Sequence, residues 1–250
     1  MQQSLTSADQ PQIPDPSKRI QYQGLVGELN YLACWTRPNI AQACSELSRF
    51  MCNPGEVHCK AARRVLSYLC GTKGHTLVFR LAPAEVSSVP TLWGYVDADW
   101  AGDLDSRRST TGYVLMLGTT AISRKSKCQS ILAMSSSEAE FVVASALVQE
   151  VIYLHCLLAR LGFPQDGPTS IFEDNETCCA WSTGMVGGTD ESKHMDLSKH
   201  FLHDAVEAKI VTLEPIPSTL NAADIFTKPN VPKPDFLKHC NTIFGVLSPI

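Results

Sequence analysis

Four carboxylates stand where structural elements should end or begin. Asp97 closes the run LWGYVD, Asp174 closes IFED, Glu140 lies near the head of a long apolar run, and Asp224 sits in NAADIF. An acid at the carboxyl end of a strand projects into the crevice where α/β sheets place their sites. Two such acids become neighbours when their strands are adjacent and parallel. Carboxylates brought that close repel, so a cluster of them makes sense with Mg²⁺ or Mn²⁺ bound. Two such ions about 4 Å apart activate water and stabilise the leaving oxygen in phosphodiester cleavage. Asp97, Glu140, Asp174 and Asp224 are therefore the candidate metal ligands and catalytic residues. Each also has a plain structural explanation when taken alone. Ser137-x-x-Glu140 fits a capping box, Asn221 with Asp224 fits an N-cap followed by a first-turn acid, and Asp97 or Asp174 fits a turn.

The elements that must position these acids are legible from periodicity. Residues 91–100 and 110–118 are rich in aromatic and β-branched residues and read as strands, and a third strand is expected within 121–134. Three short-linked strands make an antiparallel meander. A long helix is expected over 137–161, stopped by Gly162 and Pro164. TSIFED then reads as a strand, NETCCAWST and KHFLHDAVEA as helices, KIVTLEPIP as a last strand, and NAADIFTKP as the start of a helix. The order predicts an α/β fold with a mixed sheet: hairpins first, then strands joined by helical crossovers and hence parallel. On the long helix, residues 140, 143, 144, 147, 151, 154 and 158 form one stripe in which Glu140 is the single charge. Glu140 should point to the sheet, and Glu138, about 200° away, should look outward.

Residues 1–19 are polar, carry three prolines and read as a flexible lead-in. Residues 20–80 read as a small helical segment with a basic face that includes Arg49, Lys60, Arg63, Arg64 and Lys73; 81–90 as a linker; and 91–250 as the main α/β domain. Over 1–90 nine basic residues face six acidic ones, and over 91–250 twelve face nineteen. A negative domain that handles a polyanion needs bound cations or basic patches to offset repulsion. The ten cysteines form no C-x-x-C pair and no zinc-finger frame, and several lie in apolar runs, so reduced core cysteines are expected. No secretory signal and no run of membrane-spanning length is expected.

YVDADWAGDLDSRRSTTGYVLMLG, AISRKSKCQSILAMSSSEAEF, FEDNETCCA, SKHMDLSKHFL and NAADIFTKP closely resemble the ribonuclease H region of Ty1/copia-type retrotransposon Pol polyproteins. Upstream, YQGLVGELNYLACWTRPNIAQACSELSRFM and NPGEVHCKAARRVLSYLCGTKG resemble the segment joining that family's reverse transcriptase to its ribonuclease H. The resemblance runs from residue 22 to residue 246. It implies a ribonuclease H-like fold: a five-stranded mixed sheet flanked by helices, here preceded by a small helical module. It also implies a D-E-D-D site for two Mg²⁺ or Mn²⁺ ions. Asp97 in YVD matches the first acid, Glu140 in SEAEF the second, Asp174 in FEDN the third and Asp224 in NAADIF the last.

The activity implied is cleavage of the RNA strand of RNA–DNA hybrids during reverse transcription. The implied partners are the hybrid and the reverse transcriptase portion of the polyprotein, with no membrane. The implied location is intracellular, in cytoplasmic virus-like particles and the nucleus. The acid order Asp, Glu, Asp, Asp argues against an integrase core, whose acids run Asp, Asp, Glu. There are departures. Arg124 and Cys128 replace the family's usual residues, the stretch GMVGGTDESKH is unusually Gly-rich, and PIPSTLNAAD has no match for the mobile His of cellular ribonucleases H. His194 and His200 are assigned surface or packing roles. The reverse transcriptase's own catalytic region is absent. A truncated, non-enzymatic remnant that keeps the fold is the alternative. Arg107-Arg108 and Arg124-Lys125-Ser126-Lys127 are candidates for backbone contacts to nucleic acid, or solvated charged turns.

Overall fold

The computed structural model describes residues 5–79, 89–182 and 193–246, without the side chains of 193–196. The expected linker up to residue 88 and the Gly-rich stretch over 184–192 lie outside the described residues. Among the described residues, five strands form one sheet in the order β3-β2-β1-β4-β5. β1 (Leu92–Asp99), β2 (Thr110–Leu117) and β3 (Thr120–Cys128) are the antiparallel meander. β4 (Thr169–Glu173) runs parallel to β1, and β5 (Val211–Pro215) parallel to β4. With helices on both faces, this is the five-stranded mixed sheet that the pattern and the resemblance led one to expect.

One face is covered by α4 (Ser136–Arg160), which carries the chain from β3 to β4, together with α5 (Glu176–Ser182) and α6 (Lys193–Glu207). Val143, Ala144, Leu147 and Val151 of α4 pack with Leu92, Val96, Leu115 and Ile171 of the sheet. The expectation that no run reaches membrane-spanning length meets one exception. α4 is long and apolar enough by length and composition. It is apolar on more than one side because it lies between the sheet and α6, where the Ser145 hydroxyl donates to the Ser198 carbonyl at 2.9 Å, and half of its most apolar stretch is buried in the fold.

The other face is covered by α7 (Asp224–Thr227) and α8 (Lys233–Phe244), whose Ile225, Phe226, Ile243 and Phe244 pack on Val114 and Met116. NAADIFTKP makes only the single turn α7. Pro229 and Pro232 lack the N–H that would continue it, and a new helix starts after Pro232.

The cap of α4 also differs from expectation. Ser135, not Ser137, is the capping residue: its hydroxyl accepts the Glu138 N–H at 3.2 Å, and the Glu138 carboxylate accepts the Met134 N–H. Glu138 is thus the outward acid that serves the helix end, and Glu140 has no capping duty.

α1 (Pro16–Trp35), α2 (Ala41–Ser48) and α3 (Glu56–Gly71) close over their own core of Tyr22, Val26, Leu29, Cys44, Leu47, Phe50 and Ala62. α1 starts at Pro16 rather than at residue 20, because the Asp15 carboxylate accepts the Ser17 and Lys18 N–H groups and proline suits the first helical position. The lead-in expected to be flexible is held from Leu5 onward. Ser7 donates its N–H and its hydroxyl to Asp105, both at 2.9 Å. Arg49, at the end of α2, pairs with Asp103 and Asp105 of the β1–β2 loop, so these contacts fix the helices to the sheet domain.

His58 anchors the same strap. It is fully buried, stacks on Phe50 with ring centroids 4.0 Å apart, accepts the Gly55 N–H at Nδ1 (2.9 Å) and places Nε2 3.3 Å from the Thr6 carbonyl. That geometry needs a neutral ring protonated on Nε2. Burial lowers its pKa, outweighing the Thr6 carbonyl and the more distant Asp9 and Asp105. Below about pH 6.5 the unfolded chain therefore takes up a proton that the folded chain resists, and stability falls with falling pH. Urea midpoints measured from roughly pH 7.5 down to 5.5 should show the wild type losing stability relative to His58→Gln as the pH falls; parallel profiles for the two proteins would show that His58 is not the responsible group.

Candidate metal centre

The β1–β4 pairing sets the site. Its parallel register puts Trp93 against Ser170 and Tyr95 against Phe172. Continued by two residues on each strand, it sets Asp97 beside Asp174 on the same face, at a strand spacing of about 4.8 Å. Asp224 arrives from α7. Asn221 holds that turn to the sheet: its Nδ2 donates to the Val96 carbonyl at 2.8 Å and to Asp174 Oδ1 at 3.4 Å, and its Oδ1 accepts the Ala223 N–H at 3.0 Å. Gly112, opposite Asp97 in the β1–β2 ladder, makes room for the turn, because a Cβ there would collide with the Thr227 methyl.

Oxygens of Asp97, Asp174 and Asp224 lie within 4.8 Å of one another. Glu140 does not join that trio; with Glu173 and Asp174 it forms a second group within the same distance. The four acids picked from the sequence are thus gathered at one end of the sheet in two groups that share Asp174. Glu173 is a fifth acid that the sequence reading missed. Strand alternation carried the signal: Thr169, Ile171 and Glu173 share the buried side of β4, which faces α4. Among the described residues, no His or Cys joins either group. His200 is exposed, and the side chain of His194 lies outside the described residues.

Asp97 is 2 % exposed, Glu140 5 % and Glu173 0 %. Burial pushes the Asp97 carboxyl up to about 6; Lys228 pulls it down, and Asp224 and Asp174 push it further up. Burial, then Glu173 and Asp97, raises Glu140 well above the usual carboxylate range. Burial does the same to Glu173 against the hydrogen bond from the Asn175 N–H. Asp224 is raised by burial, although Lys228 pulls it down.

Two cues fit a divalent cation. Glu140 Oε2 and Glu173 Oε2 are buried without a hydrogen-bond partner, and the donor set is all oxygen, which suits Mg²⁺ or Mn²⁺ rather than a softer metal. Lys228 is the cation already present, with Nζ 2.5 Å from Asp224 Oδ1 and 3.3 Å from Asp97 Oδ1. The Thr227 hydroxyl donates to the other Asp97 oxygen.

No protein-family model matches the chain. It is 36% identical over 230 residues to the retrovirus-related Pol polyprotein from transposon TNT 1-94 of Nicotiana tabacum, and 35% identical over 225 residues to that from transposon RE2 of Arabidopsis thaliana. The chain belongs to the Ty1/copia-type retrotransposon Pol family. These matches cover 92% and 90% of the chain but only 17% and 15% of the two polyproteins, so this Pol segment spans about a sixth of their length. It is also 42% identical over 137 residues to secreted RxLR effector protein 161 of Plasmopara viticola, covering 55% of the chain and 93% of that protein. Among solved structures, LC11-RNase H1 in complex with RNA/DNA hybrid aligns with a TM-score of 0.43 at 15% identity, over 58% of this chain and 99% of that one.

The residues flagged for backbone contacts divide. Ser126 on β3 faces inward and donates to the Phe226 carbonyl at 2.6 Å, and Arg124 is half-buried near Cys34 and Cys44 of the helical module. Lys127, Arg107 and Arg108 are exposed.

Gly112→Ala should cost about 1–3 kcal/mol by overpacking and shrink the rise in Tm that Mn²⁺ produces. Gly27→Ala on α1, where a Cβ meets nothing within 4 Å, should stabilise by up to about 1 kcal/mol and leave the Mn²⁺ effect intact. Thermal melts with and without Mn²⁺ decide; equal behaviour of the two variants would contradict the role given to Gly112.

Proposed function

We propose that this Pol segment is a metal-dependent ribonuclease H that cuts the RNA strand of RNA–DNA hybrids. The observation that carries the reading is the pair of acidic groups sharing Asp174 at the carboxyl ends of β1 and β4, in a chain of the Pol family. When bound, Mg²⁺ or Mn²⁺ supplies Lewis acidity at the phosphate and a water made acidic enough to attack it. Asp97, Asp174 and Asp224 would hold the first ion, and Glu140 with Asp174 a second.

The rest of the work falls to the chain's own residues. Thr227 fixes Asp97, Asn221 fixes the turn that carries Asp224, and the Asn175 N–H fixes Glu173 beneath Glu140. Selectivity for RNA would come from the 2′-hydroxyl and the shape of the hybrid groove rather than from base sequence. Lys60, Arg64 and Lys233 line a groove of about 670 Å³ between α2–α3 and α7–α8. They would meet phosphates and offset the negative sheet domain, and binding through them would weaken steeply with salt. In the polyprotein the natural neighbour of this segment is the reverse transcriptase portion, within cytoplasmic virus-like particles and the nucleus.

The test is a labelled RNA–DNA hybrid incubated with Mg²⁺, Mn²⁺ or EDTA. Cleavage of the RNA strand should need the metal. Asp174→Asn should lower it by more than roughly 100-fold, the upper range for losing even an outer partner of a metal ligand. The metal-free Tm should stay the same or rise, because a crowded like charge is gone. Equal cleavage by wild type and variant would refute the mechanism. No cleavage by wild type under any condition would leave the remnant reading.

A further inference from the structure

We infer that Lys228 is a built-in counter-ion of the metal centre: its ammonium holds Asp97 and Asp224 together when no divalent cation is bound and yields its place when one is. The inference rests on the metal-dependent reading above. The geometry is specific. Lys228 Nζ bridges Asp224 Oδ1 and Asp97 Oδ1 at 2.5 and 3.3 Å, two of the three acids whose oxygens cluster within 4.8 Å. A divalent ion held by those carboxylates at roughly 2.0–2.6 Å would lie within a few ångströms of Nζ. Two cations that close repel, and one of them must move.

Lys228 is the partner built to move. Asp97 is buried, belongs to a strand and is pinned by Thr227, whereas the Lys228 side chain is 37% exposed. It stands on a flexible four-carbon stem. It also has somewhere to go, because it lines the groove between α2–α3 and α7–α8, with Asn230 and Glu46 on the same walls. The bland alternative is a helix brace. Lys228 is four residues past Asp224, and its N–H already closes the α7 turn onto the Asp224 carbonyl at 2.9 Å.

The two roles make opposite statements about metal affinity. A counter-ion competes with the metal, so removing it tightens metal binding. A brace preorganises the ligands, so removing it weakens binding. The experiment titrates Mn²⁺ into the nucleic-acid-free full chain by calorimetry, for wild type, Lys228→Met and Lys228→Arg, with melting temperatures alongside. Lys228→Met should bind Mn²⁺ about three- to tenfold tighter, a modest Coulombic effect of one nearby charge. It should melt lower than wild type without metal and gain more on saturation. Lys228→Arg, which keeps the charge, should bind close to wild type. Should Lys228→Met fold poorly, Lys228→Gln takes its place with the same expectation. Equal or weaker Mn²⁺ binding by the charge-free variants, with wild type binding normally, overturns the counter-ion role and leaves the nuclease reading standing. No Mn²⁺ binding by any of the proteins overturns both.

Discussion

Like charges crowded into a dry crevice govern the working end of this sheet. Asp97, Glu140 and Glu173 are almost wholly withdrawn from water, where the charged form of a carboxyl is disfavoured twice, by lost hydration and by its neighbours. Such a cluster persists only where the surrounding fold over-determines it. Parallel strand pairing places two acids side by side, Asn221 and Gly112 let a helical turn bring a third, and a separate serine cap leaves Glu140 free to face inward. The Lys228 ammonium relieves part of the strain. Burial alone would depress its pKa, but Asp97 and Asp224 outweigh burial and raise it.

On the proposed function, the helical module would answer a different electrostatic problem. The sheet domain carries the excess of acids, and a polyanion approaching it is repelled. Not all of the module's basic residues are available to counter this. Arg49 is spent on Asp103 and Asp105, where it ties the module to the β1–β2 loop, and Arg63 pairs with Glu56. Lys60 and Arg64 remain on the groove wall that leads to Lys228. The same contacts that orient the module thus decide which of its charges face the site.

Much of the architecture was legible in the sequence because each element announced itself by its own period. The α4 stripe that selected Glu140 over Glu138 is the clearest case. Asp174 follows the last residue of β4 as expected, whereas β1 runs two residues past Asp97, to Asp99, so Asp97 lies inside the strand rather than closing it. Three features were hidden for physical reasons. Glu173 was masked because an acid on the buried side of a strand looks like a mere strand end until its partner across the layer is known. The α4 cap moved by two residues because consecutive serines offer the same chemistry, and only the reach of Glu138 back to Met134 separates them. The helix expected from NAADIFTKP ended after one turn because the prolines that follow outweigh its apolar periodicity.

The proposed chemistry requires that the β1–β4 register make Asp97 and Asp174 joint ligands of a cation. The most direct measurement is anomalous diffraction from crystals of the full chain grown with Mn²⁺. A Mn²⁺ peak is expected between the Asp97 and Asp174 carboxylates, with Asp224 or Glu140 completing the shell. A well-ordered crystal with Mn²⁺ bound elsewhere and Lys228 still bridging Asp97 and Asp224 would contradict it.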